Sequence, residues 1–164
     1  MSKTLVIIRH GKSTWEYTGV PDYDRPLKET GIINTRVIAL KLMEQDISPD
    51  LIVSSPANRA LHTALIVARE LSYPLEKISI SPVLYGESEN AILDMVRHTS
   101  DQFNTLFIFG HNPVFTVLPN LYLKQTIDNL PTSGVVILEF DTSHWSDISR
   151  KLLKSEFLLS PKGG

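Results

Sequence analysis

Cysteine is absent from the 164 residues. That absence excludes disulfide bonds, thiolate-bound zinc and any cysteine nucleophile. An excess of one charge sign is also lacking: 16 Lys and Arg stand against 18 Asp and Glu, for a formal net charge of -2. A chain so balanced has no general attraction for nucleic acid or an anionic membrane, so any basic site has to be local. No apolar run approaches the ~20 residues needed to cross a bilayer. Met1-Ser2-Lys3 leads straight into a strand-like run without a signal-peptide pattern. The expectation is a soluble cytoplasmic protein whose partners include neither nucleic acid nor membrane. Five histidines are present, but no pair has the helical spacing of a zinc site, so neither a metal nor another cofactor is expected.

What is present is an alternation of strand-like and helix-like segments. Leu5-Val6-Ile7-Ile8 reads as a buried strand, and a polar loop punctuated by Gly19, Pro21 and Pro26 follows it. A helix is predicted over Thr30 to Gln45, with Ile33, Val37 and Leu40 on its inward face. Leu51 to Ser54 reads as a second strand. Ala57 to Leu71 reads as a helix whose Ala60, Ala64, Val67 and Leu71 share a face. Lys77 to Ile80 is a short strand and Ala91 to His98 a helix. Leu106 to Phe109 is another core strand, Phe115 to Leu123 a helix with Pro119 at a start or kink, and Val135 to Phe140 and Glu156 to Leu159 are closing strands. Such alternation without a linker predicts one α/β domain over residues 1–160, a three-layer sandwich with a mostly parallel central sheet and helices on both faces. Residues 161–164 read as a short frayed tail.

Three strand ends carry cationic or potentially cationic groups. The first delivers Arg9 and His10, with Gly11 next to allow a sharp turn or a close approach. The second leads through Ser54-Ser55-Pro56-Ala57-Asn58 to Arg59 in the opening turn of a helix. The third ends at His111, between Gly110 and Asn112-Pro113. In a parallel sheet these ends share one edge, where open α/β sheets bind ligands. Arginine forks match phosphate oxygens in pairs, and a helix start adds backbone donors. Two arginines and two histidines together, without a thiolate or a phosphate-binding glycine loop, point to phosphoryl transfer through a histidine nucleophile.

These residues resemble the histidine phosphatase superfamily. Its Arg-His-Gly motif is similar to Arg9-His10-Gly11. Its second-arginine segment is similar to Ser54 through Ala60 with Thr63-Ala64, and its second-histidine segment to Gly110-His111-Asn112. The short length, with Arg9 through Trp15 followed by Asp24-Arg25-Pro26-Leu27, looks most like the SixA-type branch. The resemblance implies a phosphoglycerate-mutase-like fold and a metal-independent phosphatase acting through a phosphohistidine intermediate. Its substrate would be phosphohistidine on a signalling protein, such as a histidine-containing phosphotransfer domain, or a small phosphoester. By the same resemblance His10 is the nucleophile, and Arg9, Arg59 and His111 surround the phosphoryl group. Gly11, Lys12, Ser13 and Asn112 would contact the substrate. Mutase members usually have asparagine where this chain has Glu16, and a longer acidic insertion where it has only Pro82 to Asn90. Glu87 is the candidate proton donor within that stretch.

Other readings stand beside these. A small-molecule phosphomonoesterase and a non-catalytic phospho-binding module use many of the same residues; a mutase fits less well without the insertion. His62, His98 and His144 read as structural or exposed. Asp22-Tyr23-Asp24 reads as loop, Lys12 and Arg25 either as a positive field or as solvated charges, and Trp15 as an exposed rim residue or a loop-packing one.

Overall fold

In the computed structural model, which describes residues 1–163, the β-branched and aromatic runs of the sequence form one six-stranded sheet. The strands are β1 (Lys3–Arg9), β2 (Leu51–Ser54), β3 (Ser79–Ile80), β4 (Thr105–Gly110), β5 (Val135–Phe140) and β6 (Leu153–Leu159), in the order β3-β2-β4-β1-β5-β6. β1, β2, β3 and β4 pair in parallel, while β5 and β6 join antiparallel on the β1 side. Between them lie α1 (Glu29–Glu44), α2 (Asn58–Glu70), α3 (Glu89–Arg97) and α4 (Val114–Asn120).

The unbroken apolar run of β1 is explained by cover on both faces. Side chains alternate along a strand. Leu5 and Ile7 enter a core built with α3 and α4 through Ile92, Val96, Phe115 and Leu118. Val6 and Ile8 enter the opposite core with α1 and α2, through Ile38, Leu42, Ala64 and Val67. At the start of β1, the buried Lys3 sends its ammonium to the carbonyls of Asp101 (2.6 Å) and Phe103 (3.0 Å) and to Asn104 Oδ1 (2.8 Å). A charge can be buried there because all three of its donors are matched. This anchor lies at the opposite end of β1 from Arg9.

The inward face of α1 differs from the one the large apolar residues suggested. Ile33 and Leu40 are exposed and Val37 is half-buried; Gly31, Thr35, Ile38, Ala39 and Leu42 face in. The reason is steric. The chain just after β1 presses against α1 so closely that a Cβ on Gly31 would overlap the Lys12 carbonyl oxygen. Thr35 Oγ1 bonds back to Gly31 O (2.7 Å) and meets Ser133 Oγ at 3.1 Å. Small residues therefore occupy the contact, and the large ones fall on the other stripe.

Pro119 sits neither at the start of α4 nor in a mid-helix kink, but one residue before its end. There its missing amide removes the i→i−4 bond to the Phe115 carbonyl just as the helix stops. β3 contains only Ser79 and Ile80, because Lys77 belongs to the preceding 3-10 turn, Leu75–Lys77. Of the predicted tail, Pro161 to Gly163 turn back so that Ser160 N donates to Gly163 O (2.9 Å); Gly164 lies outside the described residues.

Candidate active site

Register brings the two histidines together. β1 and β4 are adjacent and parallel with Arg9 opposite Gly110, so the residue that follows each strand emerges beside the other. The rings of His10 and His111 stand 5.1 Å apart, tilted by 51°. β2 ends at the same edge, and Ser55 N donates to Phe109 O (2.9 Å). From there the chain turns into α2, whose second residue is Arg59.

Each ring is oriented by a neighbour. His10 Nδ1 lies 2.7 Å from the Gly11 carbonyl. A carbonyl can only accept, so the ring proton sits on Nδ1 and the lone pair of Nε2 is left free. Gly11 is held in turn: its amide donates to Thr63 Oγ1 (2.9 Å), which donates to Arg59 O (2.7 Å). A Cβ at Gly11 would come within 2.9 Å of Thr35 Oγ1, so the chain passes there only without a side chain. His111 Nε2 lies 2.8 Å from Ser55 Oγ, which already accepts from Ala57 N (3.2 Å). Nε2 is the only acceptor for the Ser55 proton among the described residues, and a Ser55 hydroxyl that donates to it leaves the His111 proton on Nδ1.

Among the described residues, four buried side-chain polar atoms have no hydrogen-bond partner, and three of them are Arg9 Nε, Arg59 Nε and His111 Nδ1. On the tautomer above, all three are donors. Buried donors without an acceptor are costly in a folded protein and cluster where something else supplies the acceptor. Three of the four outer nitrogens of the arginines are engaged. Arg9 donates to Leu130 O (2.9 Å), and Arg59 donates to Asp22 O (2.6 Å) and Asp22 Oδ2 (3.0 Å).

The electrostatics follow from burial beside fixed cations. The pKa of His10 is lowered to about 4, first by desolvation and then by Arg59, Arg9 and Arg25, with the Gly11 hydrogen bond opposing. That of His111 is lowered to about 3, by desolvation and then by His10 and Arg59. Both rings are therefore neutral at physiological pH. Burial also lowers Arg9. Asp22 is held at about 2: its hydrogen bonds from Tyr85 and Arg59 outweigh its desolvation.

The two neutral rings make stability depend on pH. Above pH 6.5 both are neutral whether the chain is folded or not, and pH has no leverage through them. Below 6.5 the unfolded chain takes up two protons that the folded chain refuses until about pH 4 and 3, so stability falls as the pH drops through that window. Each tenfold rise in proton concentration across it costs about 1.4 kcal/mol per ring. Urea titrations at pH 7 and pH 5 should differ by a few kcal/mol, and His10→Ala should remove roughly half of that difference. A stability independent of pH between 7 and 5 would contradict the buried, neutral histidines.

The other residues singled out in the sequence are placed as follows. Ser13 Oγ accepts from Arg25 Nη1 (2.7 Å). The Lys12 side chain is exposed, while its backbone carbonyl accepts from Lys28 N (2.8 Å). Asn112 is turned to the loop before β5: Nδ2 donates to Asn129 Oδ1 (2.9 Å) and Leu130 O (3.0 Å), and Oδ1 accepts from Thr116 Oγ1 (3.0 Å). Glu87 is exposed and takes part in none of the site's hydrogen bonds. His98 bonds Asp94 O and His144 pairs with Asp101; His62 is half-buried on α2.

Sequence reasoning did not find the part played by the loop over the site. Asp22 to Asp24 form a 3-10 turn, and the Asp22 carboxylate joins Arg59, Arg25 and the Tyr85 hydroxyl. Arg25 is buried rather than solvated, with its guanidinium 3.5 Å from the centroid of the exposed Trp15 ring. Tyr85 stands edge-on to His111 at 5.4 Å. The one signal available was the spacing of Asp22 and Arg25: three residues apart, they can bridge within a single tight turn.

Residues 5–80, which include Arg9, His10 and Arg59, match the family model of the Histidine phosphatase superfamily (branch 1). An uncharacterized chloroplastic protein of Arabidopsis thaliana is 24% identical over 172 residues, covering 100% of this chain and 75% of that protein. The structure of the protein histidine phosphatase SixA complexed with tungstate superposes with a TM-score of 0.79 at 20% identity, covering 97% of each chain. A structure from Agrobacterium tumefaciens, provisionally assigned as phosphohistidine phosphatase SixA, gives a TM-score of 0.77 at 24% identity, covering 84% of this chain and 92% of that one. With an Arg-His-Gly turn after β1, a second arginine opening α2 and a second histidine after β4, the chain has the fold of the SixA structures, and its residues 5–80 are similar to the histidine phosphatase superfamily.

Proposed function

We infer that the protein is a phosphatase acting on phosphohistidine carried by a protein, through a phosphorylated His10. The observation that carries the reading is the set of three buried donors, Arg9 Nε, Arg59 Nε and His111 Nδ1, left unpaired on residues that share one sheet edge with His10, whose Nε2 is free. A tetrahedral dianion supplies the acceptors these groups lack, and the arginines spread its charge. The His10 Nε2 lone pair attacks phosphorus while the bond to the leaving group breaks. Water then attacks phosphorus, the electron pair of the P–Nε2 bond returns to His10, and phosphate leaves with the oxygen of the water, whose proton passes to phosphate or solvent. Gly11 holds the productive tautomer. Ser13 steadies Arg25, Asn112 ties the His111 turn to the loop that receives Arg9, and Lys12 adds positive field from the surface.

Substrate class is read from the leaving group. The Asp22 carboxylate is held ionised, and Glu87, the donor expected from the sequence, is exposed and joins none of the site's hydrogen bonds. Without a poised acid, alkoxides leave poorly, and phosphohistidine or aryl phosphates are favoured. The likeness to the two SixA structures supports the same choice, and the exposed Trp15 beside Arg25 suits a site that meets a protein surface. The test compares kcat/KM, with chelator present, for a phosphorylated histidine domain, an aryl phosphate and a panel of sugar phosphates. Phosphohistidine should exceed every sugar phosphate by tenfold or more. A sugar phosphate preferred by that margin would establish a small-molecule phosphomonoesterase. Failure to release phosphate from any of them would establish a binding module.

A further inference from the structure

The most heavily engaged polar group at the mouth is one that ordinary phosphate recognition does not require. Asp22 Oδ2 accepts from Arg59 Nη2 (3.0 Å) and the Tyr85 hydroxyl (2.9 Å), and Oδ1 accepts from Arg25 Nε (3.1 Å). A carboxylate has about four acceptor positions. Three are taken, one on Oδ1 stays open, and the side chain is 45% exposed. Next to it, Tyr23 and Tyr85 meet edge to face at 5.3 Å, and Tyr85 continues to the His111 ring.

A fixed negative charge next to an anion pocket repels the phosphoryl group, so its presence calls for a compensating role. Three donors stabilise the ionised form, which disqualifies Asp22 as a proton donor. It can still accept a hydrogen bond, most strongly from a cationic N–H. The carboxylate that carries the open acceptor is bonded to the Tyr85 hydroxyl and to Arg59, and Tyr85 also meets the His111 ring, so it borders the phosphate-binding residues.

We propose that Asp22 is a specificity residue that accepts the distal ring N–H of the substrate's phosphohistidine, with the Tyr23–Tyr85 pair beside that imidazole. This rests on the phosphohistidine reading above and explains how cleavage proceeds without a general acid. The substrate ring, protonated on its distal nitrogen, carries the phosphoryl group on the other. The His10 Nε2 lone pair forms the new P–N bond, and the pair of the old P–N bond returns to the leaving nitrogen. The ring departs as neutral imidazole, its remaining proton still hydrogen-bonded to Asp22. No proton has to reach the leaving atom. An alkyl phosphate has no distal nitrogen and gains nothing from the same carboxylate.

The discriminating variant is Asp22→Asn, assayed on a phosphohistidine protein and on an aryl phosphate. Loosening Arg59 would slow both substrates alike, so the readout is the ratio of kcat/KM values. Loss of a charge-assisted hydrogen bond should lower the phosphohistidine value roughly tenfold or more beyond the aryl phosphate value. Equal losses would overturn the proposal and leave Asp22 as a brace for Arg59. Should the variant fold poorly, the wild-type protein can be given N-phosphorylated imidazole and its analogue methylated on the distal nitrogen, each normalised to its uncatalysed hydrolysis. The methylated compound should be accelerated at least tenfold less; equal acceleration would overturn the proposal. Absence of any phosphohistidine turnover, with aryl phosphate still hydrolysed, would overturn the substrate reading itself and this inference with it.

Discussion

His10→Ala should lower kcat/KM on an aryl phosphate by about a thousandfold or more while leaving the protein folded and able to bind phosphate. The expectation comes from dividing the site into what holds the anion and what attacks it. Arg9, Arg59 and His111 carry the unpaired donors, and none of them depends on the His10 side chain for its place in the fold. His10 alone presents a free, unprotonated nitrogen whose tautomer is set by a backbone carbonyl 2.7 Å away. Removing it should therefore separate turnover from affinity. Phosphate inhibition constants of wild type and variant should agree within a few-fold. A residual rate within tenfold of wild type would exclude His10 as the nucleophile.

Arg59→Ala should show the second largest effect, a 30- to 1,000-fold loss in kcat/KM, corresponding to roughly 2–4 kcal/mol of transition-state stabilisation. The side chain is buried, opens α2 at the sheet edge and carries an unpaired buried Nε. Its outer nitrogens hold Asp22 at 2.6 and 3.0 Å, so the same substitution frees the covering loop. Arg59→Lys separates the two contributions. An ammonium keeps the charge but cannot bond Asp22 and the phosphoryl group with a planar fork. Lysine should recover only part of the lost rate, and an alanine effect below threefold would place Arg59 outside the chemistry.

Much of this was legible in the chain before folding was considered, because the signals were local. Strand runs such as Leu106 to Phe109 announce themselves through β-branched and aromatic content, and parallel pairing makes their ends converge. Arg9, His10, Arg59 and His111 were identifiable because each follows or adjoins such an end. The inward face of α1 was not legible. Its orientation is set by contact with Lys12 and Ser133, which lie far apart in sequence, and small residues at a contact leave no hydrophobic period. The loop from Asp22 to Arg25 was opaque for a related reason. Its charges look solvated in sequence and become buried and paired only once Arg59 and Tyr85 arrive from other segments. Glu87, the proton donor suggested by sequence position, lies on the surface two residues beyond Tyr85 and joins none of the site's hydrogen bonds.

The central claim, covalent transfer to His10, is tested most directly by trapping. Wild-type protein mixed with a phosphorus-labelled aryl phosphate and quenched within milliseconds should carry one label per chain. That label should survive alkali, be lost in mild acid, and map to the peptide containing His10. Phosphoserine has the opposite stability, so the chemistry of the bond identifies the residue class before any mapping. An acid-stable label, a label on another residue, or a His10→Ala protein labelled as fully as wild type would contradict covalent transfer to His10.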